Sequence, residues 1–155
     1  MLTRRVMVLV TLVVGALATS CSHEVKPDHK GVFLVVGDAL HELKPVTLDM
    51  EFTQEGFAIS SFVGDPAVTV RPGDFYFMVY GDFRPFDLKV FTTRNGKWEE
   101  DSSQGSLAGN LQVGGVEGES AMLRCRVTKA LAPGVYALAV QQGDATLYFP
   151  FRKAE

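Results

Sequence analysis

Histidines, cysteines and clustered carboxylates are the residues through which this chain could do chemistry, and their spacing supports little of it. The three histidines, His23, His29 and His41, all precede residue 42. A blue-copper centre needs two histidines, a cysteine and usually a methionine, and no histidine follows Cys125. His23, Glu24, Asp28 and His29 could loosely hold a metal ion, but they sit in a polar, proline-containing run that reads as solvated linker. His41-Glu42-Leu43-Lys44 lacks the second histidine of a zinc-protease helix. No Gly-x-Ser-x-Gly elbow presents a hydrolase nucleophile. Glu99-Glu100-Asp101 could serve general acid–base work or cation binding, yet it follows an Asn-Gly turn signal and reads as a solvated strand end. Gly105, Gly109, Gly114, Gly115 and Gly118 lack the Gly-Lys-Ser/Thr ending of a phosphate loop, which leaves a mobile connection. The expectation is no catalytic, cofactor or metal residue; a hydrolase is the least favoured class.

Cys21 carries the one covalent chemistry that its context supports. Arg4 and Arg5 precede a predominantly apolar run from Val6 to Ala18, and Ala18-Thr19-Ser20 leads into the cysteine. A basic start, a short apolar stretch and a small-residue exit form a secretory signal. A membrane-spanning helix is excluded by length, since ~13 residues at ~1.5 Å each cover about 20 Å of a ~30 Å hydrocarbon core. The cysteine just past the exit resembles the lipobox of bacterial lipoproteins, with Ala18 where leucine is usual. That resemblance implies removal of residues 1–20, acylation of Cys21 and membrane attachment through the lipid. Ser22 follows the cysteine and, by resemblance to enterobacterial sorting, implies the periplasmic face of the outer membrane. The alternative is simple secretion, with Ala16-Leu17-Ala18 directing cleavage before Thr19.

Residues 1–20 hold two of the 15 Lys and Arg and none of the 18 Asp and Glu, so the chain from Cys21 onward carries a net charge of −5. No basic stripe marks a nucleic-acid binder. The remaining length suits one domain with its own core. With Cys21 acylated, Cys125 is a lone thiol; with cleavage at Ala18, the two could pair in an oxidising compartment. In Leu123-Arg124-Cys125-Arg126-Val127 the cysteine shares a face with Leu123 and Val127, which predicts a buried, inert thiol.

Residues 21–30 read as the lipidated cysteine and a tether, and 31–155 as strands separated by turns. Three two-residue hairpin turns are expected: Gly37-Asp38, Asn95-Gly96 and Gly143-Asp144. Asn-Gly is the strongest of these signals because both central positions need positive φ. In the last hairpin, pairing Gln142 with Ala145 sets Val140 opposite Leu147, Leu138 opposite Phe149 and Tyr136 opposite Phe151. All six then share one face, and a one-residue slip would separate them. Pro150 cannot donate to a ladder, so its strand should lie at an edge or end there. Asp74–Tyr80 is apolar on both faces and reads as central; Phe86–Arg94 alternates. Phe57–Val63, Ala67–Val70 and Ala121–Lys129 complete the set.

Leu131-Ala132-Pro133-Gly134-Val135-Tyr136 resembles the Leu-x-Pro-Gly-x-Tyr corner of immunoglobulin-like and fibronectin-type domains. There a tyrosine near the start of a strand hydrogen-bonds back across the turn. A plain Pro-Gly turn before an aromatic strand is the other reading. The fold class expected is all-β: one immunoglobulin-like antiparallel sandwich of about seven to nine strands, without the Cys…Trp…Cys spacing of antibody domains.

Tyr80-Gly81-Asp82-Phe83-Arg84-Pro85-Phe86 sets aromatic and cationic residues in a connection between strands, where arginines and aromatics serve partners. Phe83, Arg84 and Trp98 are the candidate partner-binding residues, unless Phe83 folds back to plug the sandwich. The function expected is a non-catalytic binding or accessory module of the cell envelope, with a protein partner met through loop tips or a sheet edge. The alternative is a small-ligand or glycan-binding secreted sandwich, in which Trp98, Tyr80 and Phe83 would line a cleft.

Overall fold

The structure, a computed structural model, describes residues 24–155; the signal segment, Cys21 and His23 lie outside the described residues. Alternating apolar residues and turn-formers produce two β-sheets and no helix longer than a three-residue 3-10 turn among those residues. The strands are β1 (Gly31–Val36), β2 (Ala39–Leu43), β3 (Asp49–Phe52), β4 (Ala58–Phe62), β5 (Thr69–Val70) and β6 (Phe75–Tyr80). They continue as β7 (Arg84–Arg94), β8 (Lys97–Glu100), β9 (Leu111–Val116), β10 (Glu119–Val127), β11 (Gly134–Gln142) and β12 (Ala145–Lys153). One sheet runs β2-β1-β6-β10-β9, the other β3-β4-β8-β7-β11-β12-β5.

Within these sheets, β1-β6-β10-β9 follows the A-B-E-D order of an immunoglobulin domain, and β8-β7-β11-β12 follows C′-C-F-G. Strands β2, β3 and β4 are an insertion between the first strand and the short β5. The expected sandwich is present, but among the described residues it has twelve strands instead of seven to nine. It is also not wholly antiparallel: β5 runs parallel to β12. The strands that composition misses are β3 and β9. The glycine-rich stretch expected to be a mobile connection contains β9, because Leu111–Val116 finds a partner in β10.

All three hairpins turn where expected. Val36 pairs with Ala39, Arg94 with Lys97 and Gln142 with Ala145. Asn95 and Gly96 have φ of 51° and 74°, the left-handed pair that a tight hairpin needs. Val140, Leu138 and Tyr136 stand opposite Leu147, Phe149 and Phe151 in the anticipated register. Five of these six are buried in the central core, and Leu147 is partly buried at its margin. Pro150 falls between the Val46–Tyr148 bridge and the start of the β5 pairing, where β12 has no neighbour on that side.

The Tyr136 hydroxyl donates to the Ala132 carbonyl at 2.8 Å, closing the tyrosine corner. Leu138, two residues on, occupies the place where disulfide-bonded immunoglobulin domains carry their second cysteine. Its cross-strand partner is Leu88, and both are fully buried in one core with Phe77. Apolar packing thus replaces the inter-sheet disulfide. Cys125 lies in this core as a free thiol, and burial pushes its pKa up to about 11. The native protein is expected to show no reaction of Cys125 with a thiol reagent at pH 8, and full reaction in denaturant. Rapid labelling of the folded chain would show that the thiol is accessible.

The outer face of the larger sheet is covered as well. Val46 and Leu48, in the connection between β2 and β3, pack against it, and Val46 bridges to Tyr148. Phe62, Phe91, Val135 and Ala137 are buried there beneath Val46 and Leu48. Ala137 is therefore buried despite pointing away from the central core, because the insertion supplies a second layer.

Candidate functional site

The residues expected to bind a partner are not brought together. Phe83 folds back, its ring edge-on to Phe149 at 6.4 Å, and packs on the core. Arg84 is exposed at the first position of β7, opposite Gln141. Trp98 pairs with Thr93 at the far end of that eleven-residue strand and lies under Arg152, whose guanidinium carbon is 5.2 Å from the ring. Tyr80 faces the outer side of the smaller sheet. Trp98, Tyr80 and Phe83 thus line no common cleft.

The Glu99-Glu100-Asp101 run is divided among structural tasks. Asp101 accepts from the Ser103 amide and hydroxyl and caps a 3-10 turn; Ser103 holds its carboxyl below the ordinary value. Glu99 pairs with Arg94 at 3.7 Å. Glu100 meets Lys89 at 3.1 Å, and Lys89 meets Asp87 at 3.2 Å. Asp87 is buried and also accepts from the Leu88 amide and the Ser106 hydroxyl. Burial would lower the Lys89 pKa, but hydrogen bonds to Glu100 and Asp87 outweigh it and raise the value. A raised lysine pKa stabilises the fold fully below the unfolded value and loses that contribution as pH climbs through the folded one. Lys89→Met leaves two largely buried carboxylates without their cation and is expected to cost about 2–4 kcal/mol at pH 7. Urea unfolding should show the difference between the native protein and the variant shrink as pH rises above the ordinary lysine value, where Lys89 loses its charge. A difference that does not change with pH in that range would refute the electrostatic account. Among the described residues no three His, Cys, Asp or Glu side chains converge to hold a metal ion.

A different surface concentrates residues suited to recognition: the outer face of the five-stranded sheet. Period-two alternation and the strand register line its side chains in rows. One row runs Glu42, Phe33, Met78, Arg124 and Gly114; the next runs Leu40, Val35 and Tyr76 toward Arg126 and Gln112. Phe33, Val35, Met78, Met122 and Val116 form a buried cluster on this face. Burial there follows from the stretch expected to be a free tether. Glu24 pairs with Arg124, Lys26 meets Glu119 at 3.1 Å, and Pro27 is buried. His29 sets its ring edge-on to Phe33 at 5.2 Å. The tether reading is corrected for residues 24–30: their charges and proline match partners that only the folded sheet presents.

Beside this strap, Arg124 and Arg126 both lie over the Tyr76 ring, at 5.6 and 5.8 Å from its centre. Burial raises the Tyr76 pKa, Arg126 pulls it back and Asp38 adds to the rise. Next to the arginines, Gly114 and Gly115 leave a notch of about 220 Å³ open along β9. Nothing in the sequence order announces this group, since Tyr76 and the arginines belong to different strands. The arrangement offers cation, π-face and exposed backbone together, a composition suited to binding. No protein-family model, no curated protein and no solved structure matches this chain.

Proposed function

We propose that this protein is a lipid-anchored, non-catalytic binding module of the cell envelope, attached through Cys21. The anchor rests on the resemblance of residues 1–21 to a lipoprotein signal. The observation that supports the binding reading best is the pair of arginines stacked on Tyr76 beside an open sheet edge. Arginine and tyrosine dominate binding hot spots because they combine buried area with directed polar contacts. The same face suits an anchored domain. Glu24 is held at Arg124 and lies three positions after Cys21, which is ~10 Å of chain at most. The domain then rides close to the bilayer, at the periplasmic face of the outer membrane if the organism has two membranes.

Metabolic labelling of the full chain with a radioactive fatty acid, followed by membrane fractionation, tests the anchor. Label in the membrane fraction is expected. An unlabelled soluble protein beginning at Thr19 would overturn the reading and install the secreted alternative.

A further inference from the structure

The four sheet edges of this molecule are not protected alike. β2 carries His41 and Glu42, β3 carries Asp49 and Glu51, and β5 has only two residues before Arg71-Pro72. Charge, proline and shortness are the devices that keep edges from pairing with other chains. β9, Leu-Gln-Val-Gly-Gly-Val, has none of them. Its residues 112–115 are exposed, Val113 by 43%.

The hydrogen-bond phase says which groups are free. The Thr128 amide donates to the Asn110 carbonyl at 2.8 Å, and Leu111 stands opposite Val127. In an antiparallel ladder such bonded pairs recur every second residue. Gln112 and Gly114 therefore turn their amides and carbonyls toward β10, while Val113 and Gly115 turn theirs to solvent. An incoming strand would bond to Val113 and Gly115. Its residue beside Gly114 would meet no side chain there, because Gly114 has none, and could reach Arg124 in the same row and Arg126 in the next.

We infer that β9 receives an extended acidic segment of a partner protein as a sixth strand, with a carboxylate of that segment on the Arg124–Arg126 pair. This deepens the binding-module reading and rests on it. Charge decides the occupant. Among the described residues Arg126 stacks on Tyr76 without an ion pair, whereas Arg124 already holds the carboxylate of Glu24. A second copy of this chain paired through β9 would bring Gln112 and Gly114 alongside and no carboxylate to Arg126. Adding a strand to an open edge draws affinity from main-chain bonds and specificity from alternate side chains.

The test pans the full chain, anchor included and held in detergent, against a displayed library of random linear decapeptides. Enriched peptides are expected to share an aspartate or glutamate flanked at alternate positions by β-branched or aromatic residues. Affinity for a synthetic enriched peptide should fall at least about tenfold on Arg126→Glu and on Val113→Pro. Proline at Val113 removes an outward amide and spares the β9–β10 ladder. Glu51→Lys on the β3 edge should leave binding unchanged. An unaltered urea midpoint for Arg126→Glu keeps the result interpretable if Val113→Pro misfolds. No enrichment, or enrichment indifferent to Arg126→Glu, would overturn the inference. So would a doubled mass in light scattering that Val113→Pro abolishes, which would assign the edge to a second copy. Loss of fatty-acid label with peptide binding intact would count against the anchor alone; intact label without peptide binding would count against this inference alone.

Discussion

Phe151→Ala is expected to destabilise the domain by about 3–5 kcal/mol, the cost of deleting a buried phenylalanine and leaving its cavity. Phe151 is fully buried at the centre of an aromatic group. Phe75 and Phe77 meet it edge-on at 5.7 and 5.4 Å, and Tyr136 stacks on it at 5.8 Å. Those three rings are held by two strands, Phe75 and Phe77 by β6 and Tyr136 by β11, so they cannot all collapse into the space. The loss takes a large share of the ~5–15 kcal/mol that a domain has in total. Urea unfolding followed by circular dichroism should show the midpoint lowered by roughly 2 M. Phe52→Ala is the matched control: Phe52 is 72% exposed on β3, and its removal should change stability by less than about 0.5 kcal/mol. Similar losses for both variants would mean that the core is not where the strand register places it.

Cys21→Ser is expected to abolish fatty-acid labelling and to leave unprocessed precursor, because acylation of the cysteine precedes cleavage in lipoprotein maturation as the resemblance implies. The physical stake is residence at the membrane. Each buried methylene contributes ~0.8 kcal/mol, and a single acyl chain holds a protein only marginally. Two or three chains on one cysteine give stable attachment, so on the proposed reading loss of the thiol removes the anchor. Mass spectrometry of the protein N-terminus and membrane fractionation check both parts. Normal cleavage before Thr19, with soluble protein, would show that Cys21 is an ordinary residue. Cys125 could then no longer be set aside as a lone thiol by the acylation argument. Its burial in the core would still separate it from solvent-borne oxidants.

What the sequence determined by itself was local. Gly37-Asp38, Asn95-Gly96 and Gly143-Asp144 mark turns because their backbone conformations are set within two residues. The period-two pattern beside each turn then leaves one register that buries Tyr136, Leu138 and Phe149 together. The tyrosine corner was legible for the same reason, since Tyr136 bonds to Ala132 only four residues away. The tertiary structure decided the rest. β9 is a strand because β10 lies beside it, and no propensity of Gly114-Gly115 foretells that. Phe83, Arg84 and Trp98 are partner-binding candidates by residue type alone, and the length of β7 holds Arg84 and Trp98 apart. Residues 24–30 looked solvated because their partners, Arg124 and Glu119, lie some ninety residues away or more. The Tyr76–Arg124–Arg126 group has the same origin. Its members meet because β6 and β10 are neighbours in the sheet. Strand adjacency is settled by which faces can be buried together across the whole chain, and local spacing carries no record of it.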